Sequence, residues 1–395
     1  MDILKAEKDY FLNVFTRFPI DVDKGRGVYL YDKDGRCYLD FLAGIAVNAL
    51  GYNHPEILKA IKKQMERFLH LSNYFITDIQ LELARKMITL TPFNKLFFSN
   101  SGTEAIEGLL KIVKKWGHLQ GKKKIIAFEG SFHGRTTGAL SITMQEKYKK
   151  NFLPLLPDVV MVPFNDVDAF NRAIGKDTAA VIYEGITGEG GVRPVSDFMV
   201  DAFRKGRDKF GYLLIADEIQ TGVGRTGYFY YYEKEELIPD AIASAKGLGG
   251  GLPLGAFMVS GKLADILNKG EHGTTYGGNP LACATGLAAV SVISDQLFLD
   301  HVQRVGSYFK NNLYELANEF DEIITDVRGE GLMLGVEVVD DEHARQILKT
   351  AIENGLIFNT AGGNTLRFIP PLIVEETHID EALEKLRLSF KQLYH

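Results

Sequence analysis

A chain of 395 residues with 46% apolar side chains can bury a large core, and its length suggests two domains. Its 45 lysines and arginines against 51 acids give a formal charge of -6 with no basic run, which excludes a nucleic-acid footprint; no apolar stretch approaches the length needed to span a bilayer. The N-terminal MDILKAEKDYFLNVF carries charges where a signal peptide needs an apolar core, and the two cysteines, Cys37 and Cys283, lie outside any CxxC spacing. A cytoplasmic protein with two buried free thiols, no disulfide framework and no metal site is expected.

Along the chain, GVYLYDKDGRCYLDF (27–41) predicts a hairpin turning at Asp34-Gly35. PEILKAIKKQMERFLH (55–70) places Ile57, Leu58, Ile61, Met65, Phe68 and Leu69 at helical spacing, which predicts an amphipathic helix. In SNSGTEAIEGLLKIVKKW (99–116), Ser101 and Glu104 fit a capping box ahead of a second helix. The apolar runs KIIAF (124–128), AAVIYE (179–184) and YLLIADE (212–218) read as strands separated by helix-length stretches. Such alternation favours a mostly parallel sheet between helices, an α/β architecture in which ligands bind beyond the carboxyl ends of the strands. After about residue 286 the pattern changes to amphipathic helices and short strands such as LMLGVEVV (332–339). The expected division is a large domain over 51–285 and a smaller α+β domain assembled from both chain ends, 1–50 and 286–395.

Three features carry chemistry. Ser101, Gly102 and Thr103 place two hydroxyls and a glycine at a helix N-terminus, where free N–H groups and the positive dipole end suit a phosphate; alone, the motif would be a well-capped helix. Asp217 ends an apolar run, and a carboxylate buried there needs a cation or several donors to meet it, a part that a protonated pyridine nitrogen would serve; alone, it would cap the next turn. Lys246 sits among Ala243, Ser244, Ala245 and the glycines of AKGLGGGLPLGA, a setting unlike that of a solvated surface lysine. A partly desolvated lysine amine loses its proton more readily and forms an imine with an aldehyde. A phosphate site, an anion for a pyridinium and an imine-forming lysine together describe pyridoxal phosphate. GVGRTG (222–227) matches the dinucleotide glycine pattern but runs into YFYYYEKEE, a poor helix start, and EGSFHGRT (129–136) lacks the nucleophile-elbow spacing of a hydrolase. His133, beside Phe132, suits a ring-binding role better.

With these residues stand YLYDKDGRCYLDFLAGIAVNALGYNHP (29–55), GEGGV, ADEIQTGVGRTG, HGTTYGGNPLACA (272–284), VRGEGLMLGVE (327–337) and LRFIPPL (366–372). In this ordered set, over nearly its whole length, the chain resembles the class-III, fold-type-I aminotransferases, most closely the acetylornithine aminotransferases. The resemblance implies transamination of the terminal amine of N2-acetylornithine to 2-oxoglutarate, a step of arginine biosynthesis. It also implies that Ser101, Gly102 and Thr103 hold the cofactor phosphate, Phe132 stacks on its ring, Asp217 pairs with its nitrogen and Gln220 lies near its phenolic oxygen. Lys246 would carry the imine and move the proton. Arg367 and Arg135 would clamp substrate carboxylates, Glu189 would cover Arg367 during the amine half-reaction, and Thr275 would reach the cofactor phosphate of the other subunit in a homodimer.

The chain departs from that family at Glu184-Gly185-Ile186-Thr187, where relatives carry a proline and a glutamine, and at Gly108, Leu109 and Leu110, where they carry smaller residues. Other terminal amines, such as 4-aminobutyrate, ornithine or lysine, are the alternative donors; Phe15, near where ornithine-specific relatives use a tyrosine, argues against free ornithine. A non-catalytic pyridoxal-phosphate-fold binding protein is the alternative outside enzymes.

Overall fold

Seven strands form the central sheet of this computed structural model, which describes residues 3–394, with side chains from residue 6 onward. Across the sheet they run Lys95–Ser99, Gly255–Val259, Ala241–Ser244, Leu213–Asp217, Thr178–Tyr183, Lys124–Phe128 and Val159–Val162. Every pairing is parallel except those of Gly255–Val259, which lies antiparallel to both neighbours. Thr178–Tyr183, Leu213–Asp217 and Ala241–Ser244 are buried at every position because helices cover both faces of the sheet. Alternate residues serve the two layers: Ile182, Ile215 and Ala243 pack with Ile106, Leu109 and Val113 of the helix Gly102–Gln120, while Val181, Leu214 and Ile242 join the layer containing Met199 and Phe203 of the helix Asp197–Phe210.

The two ends of the chain share a sheet. Tyr29–Asp32 and Cys37–Asp40 form the expected hairpin, Val22–Arg26 pairs on one side, and Leu356–Ile357 pairs parallel to Cys37–Asp40 on the other. Ile324–Glu330, Met333–Val338, Thr365–Phe368 and Asn359–Ala361 make a third, antiparallel sheet. The boundary expected at 285 and 286 falls inside the helix Pro280–Ile293, and Met1, Asp2 and His395 of the outer segments lie outside the described residues.

Two local expectations need correction. The helix expected over 55–70 stops at Met65, because buried Gln64 turns its amide onto the carbonyl of Phe68 at 2.8 Å and folds the chain away; Leu58, Met65 and Leu69 are left exposed. Cys283 is buried, but Cys37 is exposed: it opens its strand immediately after the hairpin turn, where no layer covers it. At Gly108 the Phe257 ring packs directly on the helix backbone, since a β-carbon there would come within 2.2 Å of that ring. GVGRTG forms a turn, and buried Arg225 donates from it to the carbonyls of Leu332 and Pro370. Among the described residues, no single helix is long and apolar enough to cross a membrane.

Candidate active site

The carboxyl ends of the parallel strands open on a cavity of about 480 Å³. Its walls include Ser101, Gly102, Thr103, Phe132, His133, Arg135, Glu189, Asp217, Gln220 and Lys246, so ten of the twelve residues singled out in the sequence meet there. Arg367 and Thr275 are not among the lining residues.

At one end is the start of the helix Gly102–Gln120. Ser101 Oγ accepts the amide of Glu104 at 3.3 Å, and the Glu104 carboxylate reaches back to the amide of Asn100 at 2.8 Å, a capping box displaced by one residue. The amides of Gly102 and Thr103 take no acceptor among the described residues, so two donors and the positive helix end face the cavity. Asp217 closes its strand, buried. Its Oδ2 lies 2.6 Å from His133 Nδ1 and its Oδ1 accepts the amide of Ile219 at 3.0 Å. His133 thus stands behind Asp217. Burial alone would lower the imidazole pKa, but the bond and charge of Asp217, with Glu184 beyond, raise it.

Lys246 follows the strand Ala241–Ser244 at φ +50, a conformation unfavourable by about 1–3 kcal/mol for a residue with a β-carbon. It is half-buried, its remaining surface belonging to the cavity. Burial, and secondarily the charge of Arg367, push its ammonium down to about 8, against the opposing pull of Glu189, Asp217 and Glu184. Its neutral amine is therefore far more accessible near neutral pH than that of an ordinary lysine.

Behind the cavity, Arg367 is fully buried on the strand Thr365–Phe368. Its Nη1 meets Glu189 Oε1 at 2.7 Å and donates to Gln220 Oε1 at 3.1 Å; Nε donates to Asn359 Oδ1 at 3.1 Å, and Nη2 has no partner. Glu189 and Gln220 line the cavity while the guanidinium does not, so these two side chains stand between arginine and cavity. Burial would raise the carboxyl pKa of Glu189, but Arg367 and Lys246 outweigh it and hold the group below its usual value.

Glu184 belongs to the site although no motif in the sequence singles it out. It directly follows the strand Thr178–Tyr183, the very position at which the parallel-sheet rule looks for ligand-binding groups. Its Oε1 accepts the amide of Phe132 at 2.8 Å and its Oε2 that of Gly188 at 2.7 Å, joining two cavity walls. Burial, against the favourable His133 and with the unfavourable Asp217, pushes its carboxyl up to about 7. Next to it, Gly185 is fixed by crowding: a β-carbon would lie 2.2 Å from the Tyr231 ring.

Thr275 lies in a separate groove of about 790 Å³ with Asn73, Tyr74, Ile76 and Leu81. Thr274, beside it, receives a bond from Asn100 at 3.3 Å, so the two cavities adjoin through the residue preceding Ser101. Phe15 is exposed, under the guanidinium of Arg17.

These residues fit pyridoxal phosphate on three counts: free amides at a helix start, a buried aspartate side chain bonded to an imidazole, and an amine of lowered pKa, all on one cavity. A family model, aminotransferase class-III, matches residues 12–390. The acetylornithine aminotransferase of Caldanaerobacter subterraneus subsp. tengcongensis is 46% identical over 388 residues, 97% of this chain and 98% of that protein. That of Aquifex aeolicus is 44% identical over 381 residues, 96% and 99%. Among solved structures, the N-acetylornithine aminotransferase of Stenotrophomonas maltophilia matches with a TM-score of 0.85 at 32% identity, covering 99% of each chain. The ornithine aminotransferase of Toxoplasma gondii matches with 0.94 at 31% identity, covering 99% of this chain and 94% of that one.

Proposed function

This chain belongs to the class-III aminotransferases, a pyridoxal-phosphate-dependent family, and from that premise we propose that it moves the terminal amine of N2-acetylornithine to 2-oxoglutarate, giving N-acetylglutamate semialdehyde and glutamate. When bound, pyridoxal phosphate supplies an aldehyde to receive the amine and a ring that draws electrons from the carbon losing its proton. In this reading Ser101, Gly102 and Thr103 hold the phosphate, Phe132 lies against the ring, and Asp217, held in place by His133, pairs with the ring nitrogen. Lys246, whose ammonium gives up its proton more readily than an ordinary lysine's, would take the proton from the substrate carbon and return it two atoms away, across the intervening nitrogen. Gln220 is the side chain beside the ring oxygen and the Arg367 fork.

The observation that carries the choice of substrate pair is the ion pair of Arg367 with Glu189. One pocket must accept glutamate, whose α-carboxylate needs a guanidinium, and a terminal amine that brings a methylene at the same place. An unpaired buried arginine facing hydrocarbon is strongly unfavourable. Glu189 covers Arg367 in the amine half-reaction and gives way to the incoming carboxylate in the other, while Arg135 holds the second carboxylate. The free Nη2 of Arg367 leaves a donor ready for that exchange.

A homodimer with shared sites completes the reading: Thr275 is the residue that reaches the partner's cofactor, and the exposed Tyr74, Ile76 and Leu81 beside it form an apolar strip suited to a second copy. We further assign 51–285 to a large domain and both chain ends to a small one. Two unpaired cysteines are in keeping with a cytoplasmic location. The deciding experiment compares kcat/KM for acetylornithine, ornithine, 4-aminobutyrate and lysine with 2-oxoglutarate as acceptor. A preference of about tenfold or more for acetylornithine supports the assignment; a preference for free ornithine transfers it to the activity for which the Toxoplasma neighbour is named.

A further inference from the structure

The segment from Phe132 to Ala139 carries Phe132, His133 and Arg135 along the cavity wall, and a carboxylate secures each end of it. Glu184 takes the amide of Phe132. The far end belongs to Glu107, one turn beyond Thr103 on the helix Gly102–Gln120. Its Oε1 accepts from the Thr136 hydroxyl, from the amide of Gly138 at 3.0 Å and from that of Ala139 at 3.1 Å. The Thr136 hydroxyl also lies 3.0 Å from that of Thr103. One oxygen atom therefore ties the phosphate-facing turn to the residue next to Arg135. The helix Thr137–Ile142 receives no cap from its own Thr136, so the contact comes only from Glu107. Space for it depends on Gly138, where a β-carbon would meet Glu107 Oε2 at 2.3 Å.

Arg135 has no carboxylate partner among the described residues. Its guanidinium lies over Tyr148, 4.1 Å from the ring centre, and 5.5 Å from that of Phe132. With no ion pair to fix the head group, the backbone decides where the fork reaches. Charge-assisted bonds from three donors to one carboxylate are strong enough to set that backbone.

The geometry points to Glu107 as a positioning residue that fixes Arg135 at a set separation from Thr103, so that amino donors are selected by the distance between their reacting amine and their carboxylate. The inference rests on the proposed role of Arg135 as a carboxylate clamp. Misplacing such a clamp by about 1 Å is enough to cost roughly a hundredfold in an aligned reaction, while an amine without a carboxylate makes no use of it.

The test measures kcat/KM for acetylornithine and for n-pentylamine at saturating 2-oxoglutarate, in holoenzyme carrying Glu107→Ala, Glu107→Gln, Gly138→Ala or Arg135→Ala. Glu107→Ala and Gly138→Ala should lower the ratio of acetylornithine to pentylamine about tenfold, mostly through KM, and Glu107→Gln should restore most of it because its carbonyl oxygen still accepts from both amides. If Arg135→Ala lowers the ratio and Glu107→Ala does not, Glu107 has no positioning role. Equal losses on both amines, accompanied by a lower melting temperature, would make Glu107 a structural cap and overturn the inference. An unchanged ratio in Arg135→Ala would instead remove the clamp itself, and the inference with it.

Discussion

Replacing Glu189 with alanine should separate the two half-reactions. The substitution removes the carboxylate 2.7 Å from Arg367 Nη1 and leaves a fully buried guanidinium with only two amide oxygens, from Gln220 and Asn359. Breaking a buried pair by removing one partner costs about 3–5 kcal/mol. The lower end applies here, because the Glu189 side chain keeps 23% of its surface and water can enter the space it leaves. Glutamate restores a carboxylate to the arginine and recovers that energy, whereas acetylornithine brings hydrocarbon and does not. The ratio of the two half-reactions should therefore move toward glutamate by up to about 3 kcal/mol, roughly a hundredfold. Arg367→Ala should act in the opposite sense, harming glutamate and 2-oxoglutarate most. Single-turnover absorbance changes of each half-reaction, followed separately, isolate the chemistry from product release. Because Glu189 also raises the pKa of Lys246, Glu189→Ala should move the lysine further below about 8. Equal losses in both half-reactions would refute the switch and leave Glu189 a loop acid.

Lys246→Ala should abolish turnover and the visible absorption of the lysine-linked cofactor while the protein stays folded; a borohydride-reducible adduct and parent-level turnover in that variant would disprove the assignment. Asp217→Asn should lower kcat by about three orders of magnitude or more while cofactor still binds through its phosphate, since an amide cannot hold the ring proton by charge; near-normal turnover would remove Asp217 from this role. Stability should fall as pH rises from about 5 to 8. Glu184 and Glu218, with carboxyls near 7, and Glu235, near 8, bind protons in the folded state that the unfolded chain, with pKa near 4.5, has already released. Glu235→Gln should flatten the fall in melting temperature over that window, and a variant with the parent's slope would show that Glu235 is ionised when buried. Gly185→Ala should destabilise the protein by about 1–3 kcal/mol through collision with Tyr231, read as a shift in denaturation midpoint; no shift would mean that the Tyr231 ring moves freely.

The strands and the site were legible in the sequence to different extents. KIIAF, AAVIYE and YLLIADE matched strands almost to the residue because a parallel strand buried on both faces writes a continuous apolar run. Lys246 and Asp217 were legible because each follows such a run in an atypical setting. The early end of the helix at Met65 was not: it depends on the Gln64 amide finding the Phe68 carbonyl, a side-chain event without a periodic signature. His133 carried a signal for the site but not for its place in it, since a pairing with Asp217 across 84 positions is created by the order of strands alone. Glu107 carried no signal, being one acid on a helix whose other face is core.

The charges around the cavity also constrain one another, and the order of their partners explains why Lys246 titrates well below an ordinary lysine. Asp217 is committed to His133, and Glu189 to Arg367, so neither acid is bonded to the lysine. Glu184, the remaining carboxyl, is occupied by two backbone amides and holds its proton up to about 7. Arg367, although paired, still repels the ammonium. Were either acid released from its partner, it would stabilise the ammonium and draw the pKa of Lys246 upward, away from the range where a neutral amine is abundant. The His133–Asp217 and Arg367–Glu189 pairs thus weaken, without abolishing, the counter-charge that the two acids present to the lysine. Asn at 217 and Ala at 189 both remove an anion that now raises the lysine pKa, so both should shift the alkaline titration of the cofactor-free enzyme downward, with Lys246 read by its pH-dependent reaction with an amine-selective reagent. An upward shift in either variant would mean that the lost pairing, rather than the lost charge, governs the lysine.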